Sequence, residues 1–213
     1  MTINEMQVSK TARYFTLGEL NANTKQIWIV LHGYAQLAQG FIQQFQQLAD
    51  NNIYLIAPEA LHRFYAKGFS GNVGATWMTK EAREHDISDN IAYLNQLAQH
   101  LKVAEHSDCK IVLLGFSQGV ATVTRWFTRA DFRVDALIMF AGEMAAELRT
   151  APLHQKFAAA KTFFVYGTHD PLLPSFAPDA FKDLFADNHI EVIEFDGKHE
   201  INATVLLQIA EKL

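Results

Sequence analysis

Six short apolar runs, each ending at a turn signal and separated from the next by helical stretches, set the strongest limit on how this chain folds. They are Ile27 to Leu31, Ile53 to Ala57, Lys110 to Leu114, Val134 to Phe140, Thr162 to Tyr166 and Ile190 to Phe195. The runs read as continuous rather than alternating, which is the pattern of strands covered on both faces. Arg13 to Leu17 is a weaker candidate for an edge strand. Between Glu81 and Leu101 the residues Ile87, Ile91, Leu94, Leu97 and Leu101 recur at spacings of four, three, three and four, one face of a helix. Phe41, Phe45 and Leu48 mark another within a glutamine-rich segment, Gln36 to Gln47, whose polar side reads as a solvated face. The stretches after Ser117, from Pro178 to Ala186 and from His199 to Leu213 also read as helices. Strand and helix therefore alternate, and alternation predicts a mostly parallel sheet with helices on both faces.

A chain of 213 residues suits one substantial core, so a single domain over 1–213 is expected. The net charge of −5 gives no electrostatic reason to bind nucleic acid or an anionic membrane. Cys109 is the only cysteine, which precludes an internal disulfide and fits a reducing compartment. The first ten residues are polar, unlike a secretory signal, and no apolar run approaches the roughly twenty residues that span a bilayer. A cytoplasmic location without integral membrane association is expected. Nothing in the sequence speaks to the oligomeric state.

Chemistry concentrates where the strands end. Gly115-Phe116-Ser117-Gln118-Gly119 follows the run Ile111 to Leu114 directly. A sharp strand-to-helix turn there exposes the Ser117 hydroxyl above the sheet, with glycines on either side allowing close backbone approach. The helix beginning beneath it favours negative charge developing in acyl transfer. A serine needs a base, and the base an orienting acid. Asp170 follows Thr162 to Tyr166 in a proline-containing turn, and His199 follows Ile190 to Phe195 at the expected start of a helix. The order Ser117, Asp170, His199 is that of nucleophile, acid and base in α/β-hydrolases. Gly33, after Ile27 to Leu31, allows a turn that aims the Tyr34 backbone N–H at the same place, and the Gln118 N–H supplies a second oxyanion donor.

Blander readings stand beside these. Asp170 could simply satisfy turn amides, and His199 is one of nine histidines. His169 competes as base, His189 precedes its strand, and His32 reads as a brace for the oxyanion turn. Four parts at four strand ends favour the catalytic reading.

With these residues in place the chain resembles the phospholipase/carboxylesterase family of α/β-hydrolases, the small lidless group that includes acyl-protein thioesterases. The resemblance runs from about residue 25 to the C-terminus. It is carried by Leu31-His32-Gly33, Gly115 to Gly119, Gly167 with His169-Asp170 and Pro174, and Gly197 with His199. It implies an α/β-hydrolase fold without a large lid domain, the triad Ser117–Asp170–His199, and Tyr34 and Gln118 as oxyanion donors. Two positions depart from the pattern. Tyr34-Ala35-Gln36 stands where one residue followed by Gly-Asp is common, which affects the acyl-binding mouth, and Val120 stands where a second glycine often follows the nucleophile motif.

The expected reaction is hydrolysis of small carboxylic esters of short to medium acyl chain through an acyl-enzyme. No metal and no cofactor are expected, since ligand-spaced histidines and a dinucleotide fingerprint are lacking. The stretch from Leu61 to Thr79 suits a loop over the sheet, and its Phe64, Phe69 and Trp77 either line an acyl pocket or fill core beneath the connection. Met144 and Leu172 are the other expected substrate contacts. A thioesterase acting on acyl-proteins or acyl-CoA, a lysophospholipase, and a lactone hydrolase or peptidase of related fold would share the triad. A non-catalytic binding protein that kept the fold is the reading from another class.

Overall fold

The computed structural model describes residues 1–149, 153–172 and 182–213. In chain order the strands are β1 (Tyr14–Leu17), β2 (Gln26–Leu31), β3 (Ile53–Pro58), β4 (His62–Lys67), β5 (Ser70–Thr76), β6 (Lys110–Phe116), β7 (Ala136–Phe140), β8 (Lys161–Gly167) and β9 (Ile190–Phe195). The helices are α1 (Ala38–Ile42), α2 (Gln46–Ala49), α3 (Arg83–His100), α4 (Gln118–Arg129), α5 (Lys156–Ala159), α6 (Lys182–Asp187) and α7 (Ala203–Glu211). Seven strands form one sheet in the order β1-β3-β2-β6-β7-β8-β9. Only β1 runs antiparallel to its neighbour.

Continuous apolar strands have two faces to bury, and the sheet divides them cleanly. Ile27, Ile29 and Leu31 of β2 pack with Leu94, Val123, Trp126, Phe157 and Phe185, from α3, α4, α5 and α6. Trp28 and Val30 of the same strand face the other way, toward Phe41, Leu48 and Leu206 of α1, α2 and α7. All three tryptophans are fully buried. Each indole N–H finds an acceptor: Gln26 Oε1 for Trp28, the His32 carbonyl for Trp77 and Asn95 Oδ1 for Trp126. An unpaired donor in such a core would cost about 1–3 kcal/mol.

Several expected elements shift. β9 is half exposed, Glu191 and Glu194 included, because it is the sheet's edge and not an interior strand. β7 begins at Ala136, since Asp135 accepts the Ile111 N–H on its carboxylate and donates its own N–H to the Ile111 carbonyl. His199 stands in the connection, and α7 begins only at Ala203, where the Asn202 side chain caps the Val205 N–H at 3.1 Å. The glutamine-rich helix is two short helices joined by a 3-10 turn, Gln43–Phe45, with Phe41, Phe45 and Leu48 all buried. Of the helix expected over Pro178 to Ala186, residues 178–181 lie outside the described residues, as does Pro174.

The larger correction concerns Leu61 to Thr79. This stretch is not an open loop: β4 and β5 form a separate antiparallel hairpin. Gly68 supplies a positive φ in its turn. The hairpin is tied to the segment after β2 by Ala35 N–H to the Ala75 carbonyl at 2.9 Å and Ala75 N–H to the Gln36 carbonyl at 3.0 Å.

Chain order reverses at β2. From there the chain goes to β3 on one side and returns to β6 on the other, so the crevice beyond the carboxyl ends of β2 and β6 is the topological switch point. Register aligns these ends: Leu31 pairs with Gly115, Phe116 with Phe140, and Gly167 with Phe195. Residues following β2, β6, β7, β8 and β9 therefore emerge along one edge of the sheet.

Candidate active site

Ser117 joins β6 to α4 with φ 52° and ψ −120°, a conformation that a non-glycine residue adopts only under strain. Neighbouring backbone holds it there. The Ser117 N–H donates to the Phe140 carbonyl at 2.9 Å, and its carbonyl accepts from Val120 N–H at 3.0 Å. A Cβ on Gly119 would lie 2.4 Å from the Leu31 carbonyl oxygen, so the turn closes only with glycine there.

Asp170 and His199 meet above the neighbouring strand ends. Asp170 Oδ2 lies 2.7 Å from His199 Nδ1, and its Oδ1 accepts the Leu172 N–H at 2.8 Å. The Asp170 side chain is fully buried. An ionised carboxylate only accepts, so it holds the proton on Nδ1 and leaves the Nε2 lone pair available. The imidazole packs against the Phe116 ring at 4.9 Å between centroids. Ser117 and His199 border the same cavity, of about 300 Å³. His169, the competing base, instead points outward, with Nε2 3.0 Å from the exposed Asp196.

His32 is fully buried beneath this site. Its Nδ1–H donates to the Gly33 carbonyl at 2.8 Å while Nε2 accepts the Ala60 N–H at 3.1 Å. That second bond requires the neutral ring, and burial lowers its pKa below the usual value. Trp77 lies against it, 5.1 Å between rings. The Gly33 N–H donates to Gln36 Oε1 at 2.7 Å, which fixes the turn presenting Tyr34. Among the described residues neither the Tyr34 N–H nor the Gln118 N–H has a partner. The Gln118 side chain clamps the far wall, donating to the Met78 carbonyl at 3.0 Å and accepting the Trp77 N–H at 3.1 Å.

Met144 and Leu172 line the cavity, whereas Phe64, Phe69 and Trp77 do not. Trp77 is buried against His32, Phe64 stacks on Tyr34 with ring centroids 5.2 Å apart, and Phe69 is 98% exposed at the hairpin turn. Sequence reasoning missed Met78, Arg83, Arg125 and Arg149 in the lining. One signal was available: Ser117, Ala121 and Arg125 fall four apart, on one face of the helix that follows the nucleophile. Gly142, also in the lining, packs tightly under the nucleophile: a Cβ there would lie 2.3 Å from the Ser117 carbonyl oxygen.

Comparison with known proteins agrees with this architecture. The sequence profile of the phospholipase/carboxylesterase family matches residues 16–213. The chain belongs to that family. Its fold is the α/β-hydrolase fold, and its family is one of ester hydrolases. Among solved structures it is similar to Zea mays acyl-protein thioesterase 2, at 16% identity and a TM-score of 0.71, covering 95% of this chain and 97% of that one. It is also similar to the esterase PE8, at 21% identity and a TM-score of 0.69 over 96% and 100% of the two chains. A carboxylesterase from Mesorhizobium loti matches at 16% identity and a TM-score of 0.68 over 95% of each chain. No curated protein sequence matches significantly. Among the described residues no helix is long and apolar enough to cross a membrane, and no group of three or more His, Cys, Asp or Glu side chains is arranged to hold a metal ion.

Proposed function

We propose that this family member is a serine carboxylesterase acting on small esters, with Ser117 as nucleophile, His199 as base and Asp170 as its orienting acid. The observation that carries the reading is the Asp170–His199 pair opening onto the same cavity as the strained Ser117. His199 Nε2 takes the Ser117 proton as Oγ attacks the ester carbonyl. The oxygen that gains negative charge is held by the Tyr34 and Gln118 N–H groups, each worth about 3–4 kcal/mol at the transition state. The placement of Gly33 supports this role, since a Cβ there would come within 3.1 Å of Ser117 Cβ. The imidazolium then returns its proton to the departing alcohol, and water activated by His199 cleaves the acyl-enzyme. Residues 1–213 act as one catalytic domain in this reading, at work in the cytoplasm.

The cavity, about 300 Å³, stands at the small end of ligand sites, which favours short or medium acyl groups. The Zea mays neighbour is a thioesterase by name, and the same residues would cleave a thioester. Turnover of matched oxygen and sulfur esters by wild type and Ser117→Ala tests both readings. The proposal expects hydrolysis by wild type, preference for the oxygen ester, and loss of at least about a thousandfold in the variant. Unchanged turnover in Ser117→Ala refutes the nucleophile. Faster cleavage of the sulfur ester moves the protein to the thioesterases.

A further inference from the structure

Three guanidinium groups border the cavity beside Ser117, and hydrolysis of a neutral ester calls for none of them. Arg83 opens α3, Arg125 lies two turns along α4 from the nucleophile, and Arg149 follows the 3-10 turn Ala146–Leu148. Two of them are committed. Arg125 is almost wholly buried, grips both oxygens of Glu147 (3.1 Å to Oε2), and lies 3.4 Å from the Ala121 carbonyl. Arg149 pairs with Glu143 and donates Nε–H to the Met144 carbonyl at 2.8 Å.

Arg83 is different. Its nearest carboxylate is Glu147, 3.9 Å away and already held by Arg125. Its Nε is buried without a hydrogen-bond partner. Among the described residues, the three guanidinium groups thus share two carboxylates, Glu143 and Glu147, and Arg83 has only the longer contact to one that Arg125 already holds. The Asp170 carboxylate is taken up by His199 and the Leu172 N–H, so the charge of Arg83 has no carboxylate of its own at the cavity wall. Arg125 holds the Glu147 carboxyl down to about 2, so the balance persists through neutral pH. Met78, Met144 and Leu172 make much of the remaining wall apolar, and beside an apolar wall a guanidinium pairs more strongly with a carboxylate than it does in water.

We propose that the preferred substrates are esters bearing a carboxylate remote from the scissile carbonyl, such as half-esters of dicarboxylic acids, with Arg83 as the anchor for that carboxylate. A single charge with no carboxylate of its own matches a carboxylate better than the nearly doubly charged phosphate monoester. A planar guanidinium pairs with a carboxylate through two parallel hydrogen bonds. The inference rests on the serine-esterase reading above.

The test compares methyl pentanoate with monomethyl glutarate, equal in acyl carbons, by pH-stat on the full chain. Wild type should favour the half-ester by about tenfold or more in kcat/KM, chiefly through KM. Arg83→Gln should bring the ratio to about one, Arg83→Lys should restore part of it, and added salt should reduce it in wild type. Turnover of both esters without a charge preference, or a preference unchanged in Arg83→Gln, overturns the inference and leaves the esterase reading standing. Turnover of neither ester refutes the esterase reading and the inference with it.

Discussion

Replacing Asp170 by asparagine changes almost nothing in shape, and the structure says which way the new amide must turn. Oδ1 of Asp170 accepts the Leu172 N–H at 2.8 Å, so the amide oxygen of the substituted side chain is claimed there. Its NH2 group then faces His199 Nδ1, where the carboxylate oxygen now sits at 2.7 Å. A donor on that side requires Nδ1 to accept, which moves the ring proton to Nε2 and removes the lone pair that would take the Ser117 proton. The opposite rotamer sets NH2 against the Leu172 N–H, donor against donor. A base held in the wrong tautomer lowers kcat by about 10³- to 10⁴-fold, equivalent to about 4–5.5 kcal/mol in the barrier. The assay is steady-state hydrolysis of an activated short-chain ester, with thermal unfolding run alongside to show that the variant is folded. A folded Asp170→Asn retaining more than about a tenth of wild-type kcat would refute the tautomer argument.

His169→Ala should leave kcat within about twofold and unfolding free energy within about 0.5 kcal/mol, because its exposed pair with Asp196 lies outside the cavity; a loss comparable to that of His199→Ala would exchange the two roles. Gly119→Ala places a methyl 2.4 Å from the Leu31 carbonyl oxygen. It should cost about 3 kcal/mol in urea unfolding and disable the nucleophile turn, and a neutral effect would show the turn to be looser than described. The Glu147 carboxyl is held at about 2, against 4.5 ordinarily, by its hydrogen bond with Arg125. Its contribution is therefore present above pH 4.5 and lost as pH falls toward 2. With half of the side chain exposed, that contribution is about 1 kcal/mol, and the gap between wild type and Glu147→Gln should close across this window. Buried His32 adds a slope of the same sign at higher pH, caused by burial instead of by an ion pair: the unfolded chain takes up its proton first, so stability falls as pH drops below 6.5. Nitrogen-15 NMR should find the neutral ring protonated on Nδ1, with its titration displaced below the usual histidine range; a displacement to higher pH would contradict its bond to Ala60.

Where the chemistry was legible, the reason is geometric. A strand buried on both faces must be written in apolar residues, so its last apolar residue marks the carboxyl edge of the sheet. Ser117, Asp170, His199 and Gly33 could each be placed beyond such an end without knowing strand order. The β4–β5 hairpin escaped because its strands are mostly polar or glycine-rich and exposed, and its anchorage through Ala75 to Ala35 and Gln36 is a long-range contact without a local pattern. Trp77 took the second of its two readings, core beneath the connection: the sequence shows an aromatic, and only the fold shows His32 against it. The arginine-lined wall was hidden for the same reason, since Arg125 and Glu147 meet across 22 residues and Arg83 joins them from another helix. Asn202 before an apolar stretch was a readable cap, and it would have placed the start of α7 correctly.

The most direct test of the central claim is the intact mass of the protein after exposure to a fluorophosphonate, with the adduct located by peptide mapping. An activated Ser117 predicts one adduct per chain, on that residue, absent from Ser117→Ala and strongly slowed in His199→Ala. No adduct on folded protein, or an adduct on another residue, would contradict the account and favour a binding protein that has kept the fold.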